Sequence, residues 1–220
     1  RDLVRSRGLG DVYKRQVIGN GTMGATLYGG VKKDKISFND ITLWTGEPES
    51  ENSSPDAFNT IPEIRALLDN EDYQGADKAQ YKVQGHYSEN YQPLGTLTIE
   101  YLDDTAGISD YHRWLDIGNA TARMQYLKDG ELFTSDYFAS APDSVIVICL
   151  KSENKEGIHA LLSFDSPLPH SSQVADNEIS VEGYAAYHSF PVYYKAEDKH
   201  RYDPERGIHF KTLVRVLSVD

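Results

Sequence analysis

The chain is predicted to be mainly β: a large antiparallel two-sheet β-sandwich of the super-sandwich kind, with a small helical insertion around residues 60–84. Three observations predict it. From residue 95 onward apolar and polar residues alternate with period two, in short runs separated by turn residues. Helical periodicity is confined to one stretch, so the βαβ alternation of a parallel sheet is missing. Fifteen tyrosines, together with many Val, Ile and Thr, favour strands over helices.

Taken in order, residues 26–31 and 35–38 read as the arms of a hairpin around the polar corner Lys32-Lys33-Asp34. Residues 47–59 read as a polar loop. Thr60-x-x-Glu63 has the form of a capping box with Pro62 in the first helical turn. Ile61, Ile64, Leu67 and Leu68 then share one helical face up to about Asn70, and a second helix runs from about Tyr73 to Gln84. Strands are expected at 95–102, 111–117, 119–128 and 131–140, the last two joined by Asp129-Gly130, the strongest short hairpin signal. Further strands are expected at 145–150 (buried on both faces), 158–165, 178–187, 191–194 and 208–219, with residues 166–170 breaking the pattern.

The first sixteen residues differ from the rest. They carry five basic and two acidic residues in an otherwise acidic chain. Asp11-Val12-Tyr13-Lys14-Arg15-Gln16 matches the in-frame translation of the transposase end used in sequencing libraries, and Ser6 to Gly10 fits the adapter before it. Residues 1–16 are therefore expected to be adapter read-through, as in a metagenomic fragment, leaving residues 17–220 as native sequence that looks cut at its C-terminal end as well. Without them 17 basic residues face 32 acidic ones, and the formal charge moves from −12 to −15. That balance opposes nucleic-acid binding, which needs Lys/Arg patches. The longest apolar run, 145–150, is too short to span a bilayer. Cys149 lies inside that run and reads as a buried, inert thiol.

Gly19-Asn20-Gly21-Thr22-Met23-Gly24 fits the dinucleotide pattern G-x-G-x-x-G. The pattern needs a helix to hold the pyrophosphate, and here the glycines lead into the poor helix formers Thr26 to Val31, so tight turns are the better reading and no cofactor is expected. Seven scattered histidines show no ligand spacing, so no metal site is expected.

The segment from Asn39 to Gly46 is the candidate functional loop. Asn39, Asp40, Thr42, Trp44 and Thr45 together offer amide, carboxylate, hydroxyl and indole groups, a set suited to gripping a sugar. The alternative is that Trp44 is core and that Asn39 and Asp40 cap a turn. His188, in Ala186 to Pro191, is a second candidate hydroxyl ligand, set against a structural histidine in a turn.

A series of segments resembles the N-terminal domain of glycoside hydrolase family 95, the inverting α-L-fucosidases. They are Ile18-Gly19-Asn20-Gly21 through Gly24-Ala25, Gly29-Gly30, Asn39 to Gly46, Ile61-Pro62-Glu63-Ile64-Arg65, Tyr91-Gln92-Pro93-Leu94-Gly95, Arg113-x-Leu115-Asp116, Phe138 to Asp143, Asp165-Ser166-Pro167 and the stretch from Gly207 to Val216. The family pattern has Glu where this chain has Asp40, which keeps the charge and shortens the reach. The resemblance implies a β-sandwich domain preceding a catalytic (α/α)6 barrel that is absent here, so the catalytic residues are expected outside this chain. It further implies a fucosylated oligosaccharide as substrate (terminal α-1,2-fucosyl or L-galactosyl), the missing helical domain of the same polypeptide as partner, and an extracellular or periplasmic bacterial setting. Inverting hydrolysis needs two carboxyl groups roughly 6.5–9.5 Å apart with room for a water. No pair here is nominated for that, and the chain alone is expected to be inactive. A stand-alone carbohydrate-binding or adhesion module is the alternative reading.

Overall fold

The computed structural model describes residues 15–48, 56–85 and 88–218. Of the expected adapter segment only Arg15 and Gln16 fall among them. In chain order the elements are β1 (Gln16–Gly19), β2 (Met23–Leu27), β3 (Lys33–Asp40), α1 (Ala57–Asp69), α2 (Tyr73–Gln80), β4 (Gly95–Tyr101), β5 (Ile108–Asp116), β6 (Thr121–Lys128), β7 (Glu131–Ser140), β8 (Val145–Ser152), β9 (Ala160–Asp165), β10 (His170–Ala175), β11 (Glu178–Tyr184), β12 (His188–Ser189), β13 (His200–Arg201) and β14 (His209–Arg215). They fall into two compact units: residues 1–44, 91–185 and 208–220 in one, residues 45–90 and 186–207 in the other.

The first unit is a β-sandwich. A five-stranded sheet, in the order β1-β2-β3-β4-β9, and a four-stranded sheet, β5-β6-β7-β8, are antiparallel throughout. Period-two alternation sends Leu27, Ile36, Leu97 and Ile99 from the first sheet into the same core as Ala122, Met124, Phe133 and Tyr137 from the second. A third sheet, β10-β11-β14, adds Val181 to that core. Leu43, Leu168 and Ala185 form a smaller apolar cluster. The β6–β7 hairpin forms as its sequence requires: Lys128 faces Glu131, and Asp129 and Gly130 take φ of 52° and 88°, the two left-handed residues of a type I′ turn. The second unit holds α1, α2 and the β12–β13 ribbon. No described helix is long and apolar enough to cross a membrane.

Several expectations are corrected. Asp34 is not at a hairpin tip: it lies inside β3 with no exposed surface, and the turn falls before it, after Leu27. Its carboxylate is buried because Tyr137 and the Gly30 amide satisfy it, which formal charge in a sequence does not announce. The helix start at Thr60 is also displaced. α1 begins three residues earlier, after Asp56, and Thr60 is buried with its hydroxyl donating to the Asp56 carbonyl at 3.0 Å. A Thr bonded back to its i−4 carbonyl needs no capping role, and Pro62 is left inside the helix. Ile61 and Leu68 remain substantially exposed, while α2 buries Ala76 and Ala79 and ends at Gln80, short of the expected Gln84.

β8 is half-buried rather than buried on both faces, because it is the edge of its sheet; Cys149 is half-buried with it. Residues 191–194 form a turn closed by the Tyr194 amide on the Pro191 carbonyl, since Pro191 has no N–H for a ladder. Conversely, β10 is a strand where none was expected: every residue in it is exposed, so it carries no apolar alternation to read.

Candidate functional site

In the first unit the candidate loop leaves the end of β3. Asn39 and Asp40 are its last two residues, opposite Gly24 and Met23. The Asp40 Oδ1 accepts from the Thr42 amide at 2.9 Å and the Thr42 hydroxyl at 2.6 Å, a local turn that an Asx side chain makes for its own backbone. Leu43, almost wholly buried, anchors the turn from beneath, and its carbonyl accepts from the Gln92 amide. These constraints bring Trp44 against Tyr91 through a single antiparallel bridge.

Trp44 is not core. It is 43% exposed and Tyr91 is 42% exposed. Their rings meet edge to face with centroids 5.5 Å apart, and the indole Nε1 donates to the Ile41 carbonyl at 3.0 Å. Partial burial, with the Asp40 charge as a smaller contribution, holds the Tyr91 hydroxyl above its ordinary pKa. The alternative is thus half right: Asp40 does cap a turn, whereas Trp44 presents its ring to solvent. An exposed aromatic pair beside a carboxylate and a hydroxyl offers a flat apolar face and hydrogen-bonding groups at its edge.

Thr45 and His188 belong to the second unit, where Glu89 brings them together. Glu89 accepts from the Thr45 hydroxyl, from the Ser189 amide at 3.1 Å, and lies 2.9 Å from His188 Nδ1. Asn90 ties the same knot from the next position. Its amide donates to Thr45 Oγ1 at 2.9 Å and its side chain to Ser189 Oγ at 2.8 Å, and Ser189 Oγ also lies 2.8 Å from His200 Nδ1. Thr45, His188 and Ser189 are all buried, and the His188 ring stacks edge-on against Phe190. Gly46 is required here, because at its φ of 107° an added Cβ would come within 2.7 Å of Glu89 Cγ. Glu89, Asn90, Ser189, His200 and Tyr91 were not singled out as site residues from sequence. The adjacency of Glu89, Asn90 and Tyr91 just before Gln92-Pro93 was the available signal.

A second buried ionisable group is Asp34 in the sandwich core, with no exposed surface. Burial raises its carboxyl pKa, partly offset by the Tyr137 hydroxyl at 2.6 Å and by backbone amides, and burial next to Asp34 pushes the Tyr137 hydroxyl far up. Among the described residues no three His, Cys, Asp or Glu side chains converge as a metal would need.

Comparison with known proteins adds what geometry alone does not supply. The profile described as glycosyl hydrolase family 65, N-terminal domain, matches residues 13–220. Alpha-L-fucosidase 2 of Arabidopsis thaliana is 31% identical over 206 residues, covering 90% of this chain and 24% of the relative. Probable alpha-fucosidase A of Aspergillus oryzae is 27% identical over 141 residues, covering 61% of this chain and 19% of the relative. The chain therefore spans about a quarter or less of the length of these relatives.

Proposed function

Because the chain belongs to the glycosyl hydrolase family 65 N-terminal domain family, we propose that it serves as the non-catalytic N-terminal β domain of an α-L-fucosidase of the family 95 type. The parent enzyme removes terminal α-1,2-fucosyl or L-galactosyl residues with inversion, outside the cell or in the periplasm. The acid and base lie in a helical domain of the same polypeptide. The role of this domain is to support that domain and to offer Asn39, Asp40, Thr42 and Trp44 to the glycan. Thr45 and His188, locked by Glu89, fix the chain that follows the loop.

The observation that carries the reading is the exposed Trp44–Tyr91 pair with Asp40 and Thr42 beside it. What sets this exposed indole apart is its setting: a turn fixed by hydrogen bonds, with a second exposed ring, a carboxylate and a hydroxyl beside it, so ring face and polar groups are presented together.

The test is Trp44→Ala in the full-length parent, assayed by fucose released from an α-1,2-fucosylated oligosaccharide. Losing the buried part of the ring, the edge-to-face contact and one hydrogen bond costs about 2–4 kcal/mol of stability, so melting is followed beside activity. The expected result is an enzyme still folded at the assay temperature whose kcat/KM falls at least about tenfold, the scale of one aromatic contact removed from the transition state. Unchanged kcat/KM in the folded variant would overturn the glycan role. The 220-residue chain alone is expected to release no fucose.

A further inference from the structure

Helix α1 carries two apolar stripes and buries only one. Thr60 is buried and Ile64 and Leu67 are half-buried, so these three mark its inward face. Phe58, Ile61, Arg65 and Leu68 form a second stripe beside it, at spacings of three, four and three residues. That is the spacing with which one helix seats on another. The second stripe faces solvent: Phe58, Ile61 and Leu68 are 84%, 40% and 47% exposed, and Arg65 is exposed between them.

Three observations say what would cover it. The first is the spacing itself. Side chains at three-four-three intervals are the knobs that fill the holes of a facing helix, which neither a strand nor an irregular loop provides. The second is Arg65. It stands in the middle of the stripe and makes no ion pair among the described residues, whereas the nearby Glu63 is held by Lys82 at 3.3 Å. Covering the stripe takes water from that guanidinium, so the covering helix must bring a carboxylate to it. A second copy of α1 does not do so. Antiparallel pairing over the whole stripe sets Arg65 against Ile61, with no carboxylate in the seam.

The third observation is size. At roughly 200 Å² for a large apolar residue, the three exposed fractions leave about 350 Å² of apolar surface. Freely associating partners need about 800 Å² on each side. A stripe this small suits a helix tethered to it by the chain, whose effective concentration is of millimolar order. The relatives have room for such a helix: the 206 matched residues are 24% of the Arabidopsis thaliana protein, so most of that polypeptide has no counterpart here.

We propose that the stripe of Phe58, Ile61, Arg65 and Leu68 is a docking seam for a helix of the same parent polypeptide, one outside this chain that sets an Asp or Glu against Arg65. The proposal rests on the reading above that a longer hydrolase carries this domain, and it names the surface by which the rest of that enzyme holds it.

The test compares amide hydrogen exchange in the 220-residue chain and in the full-length parent. The amides of Ile64 to Asp69 are expected to exchange at least about tenfold more slowly in the parent. Arg65→Glu, and separately Ile61→Ser with Leu68→Ser, are expected to remove that protection and to leave exchange in the 220-residue chain as it was, since these side chains are exposed there. A photo-cross-linking residue placed at Ile61 of the parent is expected to join, within one molecule, a helical peptide beyond Asp220. A carboxylate of that peptide changed to Lys should restore the protection lost in Arg65→Glu. Equal exchange in chain and parent would overturn the proposal. So would protection that survives both variants, or a cross-link confined to residues 1–220 or to a second molecule. Fucose release by the same parent preparation separates the two readings: a protected seam without release sinks the fucosidase assignment alone, and release with an unprotected seam sinks the docking seam alone.

Discussion

Replacing Tyr137 by Phe tests whether the sandwich core tolerates Asp34 for the reason given. Asp34 and Tyr137 are 0% and 1% exposed, and the Tyr137 hydroxyl donates to Asp34 Oδ2 at 2.6 Å. The Gly30 amide supplies another donor at 3.0 Å. Phe keeps the ring and removes only the donor. A hydrogen bond to a charged group contributes about 1.5–3 kcal/mol, so the variant should lose about 2 kcal/mol near neutrality. At about 2–4 °C per kcal/mol for a chain of this size, that lowers Tm by about 4–8 °C. The pH dependence follows from sign. The folded-state pKa of Asp34 is raised above its ordinary 3.8, so the folded chain binds that proton more tightly than the unfolded one. Its contribution to stability is therefore full below the ordinary value and is lost as pH rises through the folded value. Removing Tyr137's bond, which lowers the carboxyl's pKa, raises it further and deepens the loss on the alkaline side. In acid the carboxyl is neutral and the missing bond is worth only about 1 kcal/mol. Urea unfolding of both proteins, near neutrality and below the aspartate range, measures the difference. A penalty that is the same at both pH values, or larger in acid, would refute this account.

Other outcomes follow from single contacts. Gly46→Ala drives a Cβ toward a Glu89 pinned by three hydrogen bonds and should destabilise by about 1–3 kcal/mol. Gly130→Ala, equally left-handed but with nothing within 4 Å, should cost only the backbone term of about 1 kcal/mol, so paired melts separate packing from conformation. Pro62→Ala restores an amide to the interior of α1 and should slow hydrogen exchange there, with up to about 3 kcal/mol of helix propensity regained. Glu89→Gln leaves one donor facing an amide NH2 and should cost about 1–3 kcal/mol in thermal melts.

The sandwich was legible because its signal is redundant. β4 buries Leu97, Ile99 and Tyr101, β6 buries Ala122, Met124 and Tyr126, and β7 buries Phe133, Ser135 and Tyr137, each at every second position, and Asp129-Gly130 fixes the register of one pair outright. Where that redundancy is absent, reading failed for identifiable reasons. β10 has no buried face, so a strand made only by its ladder to β11 looks like loop. Residues 191–194 carry the strand-favouring Val192, Tyr193 and Tyr194, but Pro191 removes the ladder donor. Asp34 and Thr60 were misplaced because each spends a polar group on a partner that sequence does not show: Tyr137, 103 residues away, and the Asp56 carbonyl.

The candidate site divides along the same line. Asp40, Thr42 and Trp44 are neighbours in sequence and in space, since one short turn arranges them, and so their grouping could be read directly. The Glu89 network draws on Thr45, on the neighbours Glu89 and Asn90, and on His188, Ser189 and His200 of the β12–β13 ribbon. No period or spacing connects such residues; only the closure of three chain segments does. Burial then decides what each can do. Thr45 and His188, enclosed and hydrogen-bonded to Glu89, keep the chain after the loop in place, whereas Trp44 and Tyr91, more than two-fifths exposed, have ring surface left for a ligand. A loop held at both ends and aromatic at its exposed turn is preorganised, so whatever it grips pays little ordering entropy to be held.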